Sequence, residues 1–201
     1  MLKKVLAISC IFFIVSCEKR SLQNTLPYYN TANFEPQFLS SNDADKKINH
    51  VIANFNMTDQ YSQTITQKDI EGKIHIANFF FTSCGSICPK MTNNLTAVQD
   101  ILNKEKDILL FSYSVMPWQD SVPVLKSFAK EYKITSQNWH LLTGKKEAIY
   151  ELARKSYFAE ENIGFTKDTT EFLHTEHIFL VDKNKKIRGI YNATLELEKQ
   201  Q

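Results

Sequence analysis

The chain has 201 residues, and 43% of them are hydrophobic, while only five are Gly and five are Pro. This composition supports one folded domain with a leader or tail, and it excludes a disordered or low-complexity chain. The formal net charge of +2 is too small to indicate nucleic-acid binding, so we expect no nucleic-acid partner.

The N-terminus has the pattern of an export signal. Lys3 and Lys4 make a basic start, and residues 5–15 form an almost wholly apolar run that is too short to span a bilayer as a permanent helix. The run leads into Ile-Val-Ser-Cys, which ends at Cys17 and resembles the lipobox of bacterial lipoproteins, where cleavage leaves a lipid-bearing cysteine at the new N-terminus. An ordinary secretory signal is the alternative. We therefore predict a lipoprotein signal peptide over residues 1–16 and lipidation of Cys17.

This prediction determines which cysteines remain available. Cys10 would leave with the signal peptide and Cys17 would carry lipid, so Cys84 and Cys88 could pair only with each other. The protein would be exported and lipid-anchored to a bacterial membrane, with its domain facing the periplasm, where disulfides can persist. We therefore expect Cys84 and Cys88 to form a redox-active disulfide.

The rest of the chain divides into three parts. Residues 17–47 are polar and irregular in pattern and are predicted to be a tether, with one short strand near its two adjacent tyrosines. The aromatic residues of this tether suggest that part of it docks on the domain. The folded domain is predicted over residues 48–193, and residues 194–201 form a C-terminal tail.

The hydrophobic pattern of the domain predicts an α/β fold. The predicted elements are a β-hairpin from residues 50–57 and 64–66, a strand over 74–81, a helix over 89–104, a strand over 107–115, a helix over 122–132, a strand over 139–142, a helix over 145–156 and a closing β-hairpin from 177–181 and 187–191. A long loop over residues 157–171 precedes the last hairpin, and loops of that length are often functional. A strand, a loop with two cysteines and a helix, followed by βα units and a hairpin, is the arrangement of a thioredoxin-like fold.

Cys84 and Cys88 lie where the first long strand passes into a helix. Proline suits the first position of a helix, so Pro89 predicts the helix start. A helix N-terminus offers partial positive charge and unpaired N–H groups, which stabilise a thiolate. Residues four apart on a helix face the same side, so the two sulfurs could form a disulfide or bind one soft metal ion.

A third metal ligand would have to be a histidine. Two thiolates favour Cu(I), whereas a zinc site normally needs four ligands, often from a second cysteine pair that this chain lacks. His50, His75 and His140 are predicted to be structural. His174 and His177 stand at the entry to the last hairpin, where a loop can carry an imidazole to the sulfurs.

Three segments resemble the Sco/SenC family. Residues 78–92 look like its Cys-x-x-x-Cys-Pro signature, and residues 139–144 resemble its Trp-x-x-Leu-Thr-Gly. Residues 174–182 resemble the end of the family domain, where the copper histidine stands eight residues before an Asp that closes a strand. Members of this family are membrane-tethered, thioredoxin-like copper proteins that help to assemble the dinuclear copper centre of cytochrome c oxidase. The resemblance covers roughly residues 50–192.

The resemblance implies a ligand set, and the chain departs from the family pattern at two positions. Counting back from Asp182 gives His174, so Cys84, Cys88 and His174 are the implied ligands of copper, as Cu(I) or Cu(II). Met116 stands where the family usually has Asp, and it could offer a thioether to copper or simply pack in the core. Leu173 replaces an Asp that often precedes the family histidine. We therefore expect the site to lack its usual acidic residue.

Three functions remain open at this point. The resemblance implies a copper metallochaperone that passes copper to the apo copper-bearing subunit of cytochrome c oxidase, with a thiol reductant or another copper chaperone as a further partner. The first alternative is a thiol–disulfide oxidoreductase that reduces the cysteines of that subunit, with Cys84 attacking and Cys88 resolving. The second is a copper or redox sensor.

Overall fold

The computed structural model describes residues 25–159 and 175–195. The predictions for Cys17, for His174, for Leu173, for the signal peptide, and for most of the long loop and the tail therefore lie outside the described residues. In the part that is described, no helix combines the length and apolar character needed to cross a membrane.

A seven-stranded mixed sheet forms the centre of the described chain. Its strands are β1 Asn56–Asp59, β2 Thr64–Thr66, β3 Ile74–Phe80, β4 Ile108–Ser114, β5 Trp139–Thr143, β6 His177–Val181 and β7 Ile187–Asn192. Their spatial order is β2-β1-β5-β4-β3-β6-β7. The three central strands β3, β4 and β5 run parallel, while β1 and β2 on one side and β6 and β7 on the other pair antiparallel. The first strand begins at Asn56, later than the predicted residue 50.

The carboxyl ends of the parallel strands meet at one edge of the sheet, which is where ligands bind in such folds. We call this edge the carboxyl edge. It includes the loops over residues 81–86, 115–121 and 144–145, which follow β3, β4 and β5, and the helix starts that come directly after these loops.

Five α-helices accompany the sheet in the described residues. They are α1 Ser41–Lys47, α2 Ile87–Thr96, α3 Gln99–Lys104, α4 Val122–Glu131 and α5 Lys146–Glu151, with a 3-10 turn at Gln67–Ile70 and a π-helical turn at Leu152–Ser156. The prediction of one helix over residues 89–104 is wrong, because α2 begins two residues earlier and the helix is interrupted at 97–98. Thr96 Oγ1 donates to the carbonyl of Asn93 at 2.6 Å, and the Val98 N–H bonds only three residues back, to Leu95. Both bonds compete with the regular helical pattern and end α2.

The segment predicted to be an irregular tether contains α1, so that prediction is wrong for residues 41–47. Ser40 caps this helix by accepting from the Asp43 N–H at 3.2 Å. The buried ammonium of Lys186 holds it on the domain by donating to the Ala44 carbonyl at 3.3 Å and to Asp45 at 2.7 Å. The packing of α1 therefore depends on Lys186 in the last hairpin. The pattern of residues 41–47 alone cannot predict a contact with so distant a residue.

The aromatic residues of the same segment do dock, as predicted. Tyr28 is buried, and the Arg188 guanidinium lies 3.8 Å from its ring centroid. The Tyr29 N–H donates to the carbonyl of Ile187, which gives the exposed side of β7 a backbone partner.

The sheet buries a separate apolar cluster on each face. The first cluster includes Phe79, Phe111, Tyr113, Tyr157 and Phe179. The second lies under α2 and α4 and includes Phe80, Leu110, Leu125, Trp139, Cys84 and Cys88. Alternate residues of one strand point to opposite faces, so neighbours such as Phe79 and Phe80 divide between the two clusters.

Candidate functional site

The two cysteines lie at the junction of β3 and α2. Cys84 is in the loop, where its N–H donates to the Phe81 carbonyl at 3.3 Å, and Cys88 is the second residue of α2. Both are present as thiols, and their sulfurs share a hydrogen bond. Cys84 is 8% exposed and Cys88 only 1% exposed. A reagent or partner therefore meets Cys84 first.

The surroundings of the two thiols shift their pKa values in opposite directions. Burial by itself raises the pKa of Cys84, but hydrogen bonds from the backbone N–H groups of Cys88, Ser86 and Ile87 and from the Cys88 thiol outweigh it, so the pKa falls below its usual value. Burial raises the pKa of Cys88 to about 12, and the charges of Cys84 and Asp120 act in the same direction. Because the thiolate is the reactive form, Cys84 is the stronger nucleophile of the pair at neutral pH.

A buried carboxylate lies against the cysteine loop, which corrects the expectation that the site has no acidic residue. Asp120 is fully buried and accepts from the Thr82 N–H at 3.1 Å, from the Thr82 hydroxyl at 2.5 Å and from the Ser114 hydroxyl at 2.5 Å. It follows β4, whose carboxyl end lies beside that of β3. The sequence analysis looked for this acidic residue at positions 116 and 173, and Met116 is half-buried at the start of the same turn. The sequence signal that could have identified Asp120 is its place in the loop after β4, at the carboxyl end of a parallel strand next to β3.

The four described histidines all contact aromatic rings of the first cluster, on the face away from the cysteines. His75 and His140 lie 5.7 Å and 5.6 Å from the Phe111 ring centroid. His177 lies 5.9 Å from Phe34 and 6.2 Å from Phe179, and His50 lies 4.2 Å from Phe158. These contacts agree with the structural roles predicted for His50, His75 and His140.

Further bonds hold two of these histidines in place. His140 Nδ1 lies 3.0 Å from the buried Asp59 carboxylate, and His50 Nε2 lies 2.7 Å from the Ser156 carbonyl. Across residues 25–159 and 175–195, no three His, Cys, Asp or Glu side chains are grouped so that they could hold a metal ion. A third His, Cys, Asp or Glu ligand for the cysteines would have to come from outside these residues.

The chain enters β6 beside α2. The Ala193 N–H donates to the Glu176 carbonyl at 2.8 Å, and Asn94 of α2 donates to the Ala193 carbonyl at 2.7 Å. Ile178 pairs with Asn78 of β3 and packs against the second cluster. The backbone just before β6 therefore lies on the side of the sheet that holds Cys84 and Cys88.

Comparisons with known proteins agree with this architecture. The sequence model described as SCO1/SenC matches residues 43–200. The SCO1 protein homolog of Bacillus subtilis is 32% identical to this chain over 148 residues, which make up 73% of this chain and 76% of the relative.

Solved structures show the same fold. A SCO1/SenC family lipoprotein from Bacillus anthracis is 29% identical with a TM-score of 0.62, over 73% of this chain and 86% of its own. A member of the Sco family of cytochrome c oxidase assembly proteins, in which a disulfide switch was identified, is 31% identical with a TM-score of 0.62, over 74% of this chain and 87% of its own. Bradyrhizobium japonicum ScoI, solved with copper bound, shares the fold at 21% identity and a TM-score of 0.58, over 72% of this chain and 91% of its own. The predicted α/β thioredoxin-like fold is confirmed.

Proposed function

This chain belongs to the SCO1/SenC family, and on that premise we propose that it is a membrane-anchored copper metallochaperone for the copper-bearing subunit of cytochrome c oxidase. The observation that carries the proposal is the pair of hydrogen-bonded thiols at the start of α2, because two adjacent sulfurs are the ligands that Cu(I) prefers. The copper bound to ScoI and the oxidase-assembly role of the Sco family support the same assignment.

We propose His174 as the third ligand. The antiparallel register places Asn78 opposite Ile178, so the same register continued by four residues on each strand would bring position 174 opposite Thr82. Thr82 lies two residues before Cys84. Positions 174 and 178 are four residues apart, so in an extended chain their side chains would point to the same face of the sheet. The side chain of Ile178 packs on the face that holds the cysteines. His177 precedes Ile178 by one residue and points to the opposite face, where it packs against Phe34 and Phe179.

The thiol environment suits transfer of copper by ligand exchange. Binding of Cu(I) by two thiols releases their protons, and Cys84 gives its proton up first because its pKa is lowered. Cys88 is almost fully buried and keeps its proton more strongly, since burial raises its pKa to about 12. An incoming thiolate of the target can replace Cys84 first, at the exposed side of the pair, and release Cys88 afterwards. A thiol reductant would keep the pair reduced between cycles.

Delivery of copper can be tested directly. The reduced protein, loaded with one equivalent of Cu(I), is mixed with the apo copper-bearing domain of the cytochrome c oxidase subunit from the same genome. We expect copper to move to that domain, measured as the copper content of each protein after the two are separated. Because a centre of two Cu(I) ions is colourless, its absorption should develop only after a mild one-electron oxidant is added. The Cys84→Ser, Cys88→Ser double variant is the control and should transfer none. Retention of copper by the wild-type protein, with no transfer over hours, would contradict the proposal.

The difference in acidity between the thiols favours a second function, a thiol–disulfide oxidoreductase. A thiolate at Cys84 would attack a disulfide of the target, and Cys88 would then resolve the mixed disulfide, leaving the target reduced and the pair oxidised. Copper is not needed for this reaction. Reduction of an oxidised target domain by the copper-free protein, measured by thiol labelling, would support this second function.

We also propose that a lipid on Cys17 anchors the protein to the outer face of a bacterial membrane. Arg188 binds the carbonyls of Leu26 and Pro27, so the docked part of the chain begins near residue 26. The eight residues 18–25 can span at most about 28 Å, which would hold the domain near the bilayer.

Cys17→Ser should therefore move the protein from the membrane fraction to the soluble periplasmic fraction and abolish its labelling by a radioactive fatty acid. The control is Cys10→Ser, which lies within the predicted signal peptide and should leave both unchanged. Normal membrane association of the Cys17 variant would argue against the lipid anchor.

A further inference from the structure

Trp118 is exposed next to the cysteine loop. Its side chain is 55% exposed, and it lies in the turn that follows β4 on the carboxyl edge. The two residues after it bind the cysteine loop: Gln119 accepts from the Ser83 hydroxyl at 3.4 Å, and Asp120 binds Thr82. These contacts between the turn after β4 and the cysteine loop therefore fix the position of Trp118 relative to Cys84.

A lysine from α5 holds the indole at the surface. Lys146 Nζ lies 4.8 Å from the Trp118 ring and 5.2 Å from the Tyr150 ring, which are cation–π distances. The Tyr150 hydroxyl in turn donates to the Val115 carbonyl at 3.0 Å and fixes the start of the same turn. A large apolar side chain that is ordered in solvent loses little conformational entropy when a partner covers it.

The carboxyl edge presents more positive than negative charge. Its three loops contain Lys145 and a single carboxylate, Asp120, which is buried. The helix α5 then begins with Lys146, which is followed by the exposed Glu147. Lys90, one turn into α2, is exposed as well. A protein that covers this edge meets an aromatic side chain and ammonium groups, so charge complementarity favours an acidic partner.

We propose that Trp118, Lys145 and Lys146 form a docking surface for an acidic face of the protein that exchanges copper or thiols with Cys84. This inference rests on the proposed function and names how the target is held. Trp is among the residues that most often dominate binding at protein interfaces. The partner would place its own ligands beside Cys84, the more exposed of the two thiols.

The test measures binding separately from transfer. The probe is the apo copper-bearing domain of the cytochrome c oxidase subunit from the same genome, and its dissociation constant is measured by calorimetry at low and high salt. Trp118→Ser should weaken binding by about tenfold or more. Lys145→Glu with Lys146→Glu should weaken it and remove most of its salt dependence. Reaction of Cys84 with the uncharged reagent hydroxyethyl disulfide should stay close to the wild-type rate in each variant, which shows that the fold and the thiols are intact.

Two matched variants serve as controls. Phe38 is also 55% exposed but lies in the N-terminal segment, and Lys183 is exposed in the turn between β6 and β7, at the opposite end of the sheet. Phe38→Ser and Lys183→Glu should bind the domain as the wild type does. Equal weakening by the controls, unchanged binding by the Trp118 variant, or no binding by the wild type would each overturn the docking surface. Normal docking without copper transfer would instead refute the proposed function and leave the docking surface standing.

Discussion

Replacing His174 with alanine should weaken Cu(I) binding by at least about 100-fold, whereas replacing His177 with alanine should change it little. The register of β3 and β6 would bring position 174 opposite Thr82, beside the cysteine loop, while His177 packs against Phe34 and Phe179 on the other face. Loss of the imidazole leaves only the two sulfurs, which still bind Cu(I) but hold it less tightly than the three-ligand site. The disulfide chemistry of Cys84 and Cys88 should survive in both variants, because it requires only the sulfurs.

The Cu(I) binding of both variants is measured under identical conditions, as copper stoichiometry and by competition with a chromophoric Cu(I) chelator. The His177 variant is the matched control, since it removes the same side chain three residues away. Loss of binding in the His177 variant alone would refute the ligand assignment. Full binding in both variants would favour the dithiol oxidoreductase, for which no histidine ligand is required.

The second large effect is on stability, and it comes from His75. This residue is fully buried in β3, where burial lowers its pKa from 6.5 to about 3. Nε2 lies 2.9 Å from the Tyr157 hydroxyl, and Nδ1 has no hydrogen-bond partner in the described structure. The folded state therefore holds this imidazole neutral at pH values where the unfolded chain would protonate it.

Because the unfolded state binds the extra proton, acidification stabilises it and destabilises the fold. The contribution of His75 is fully present above pH 6.5 and is lost progressively as the pH falls toward 3. We expect it to lower the free energy of unfolding by roughly 2 to 3 kcal/mol between about pH 7 and about pH 4.5. That loss is a large fraction of the stability of an ordinary domain.

Urea unfolding of the wild type and of His75→Phe across this pH range isolates the effect. Phenylalanine fills a similar space and cannot titrate, so the variant should lose less stability on acidification even if it is less stable at neutral pH. The relevant quantity is the difference between the two pH dependences, which cancels the contribution of the carboxylates. Parallel curves for the two proteins would show that His75 is protonated in the folded state.

Short-range patterns were sufficient to predict strands β3 to β7, helices α4 and α5 and the junction that carries the cysteines. An apolar run followed by two cysteines four apart and a proline specifies a strand, a turn and a helix start through local backbone preferences alone. Position relative to the last strand was also the ground for predicting that His174 rather than His177 binds copper, a prediction that lies outside the described residues at position 174. The family resemblance was carried by these same local segments, and the comparisons confirmed it.

Contacts between distant residues decided what those local patterns left open. Asp120 reaches Thr82 across 38 positions, and Lys186 holds the Ala44 carbonyl across 142 positions. Trp118 and Lys146 come together because β4 and β5 are neighbours in the sheet. By itself, the sequence determined the elements, the spacing of the two thiols and the family. Only the tertiary structure decided that Cys84 is the more acidic thiol, that a buried carboxylate supports its loop and that α1 docks on the domain, because the acidity and burial of a side chain depend on neighbours that the folded sheet brings together.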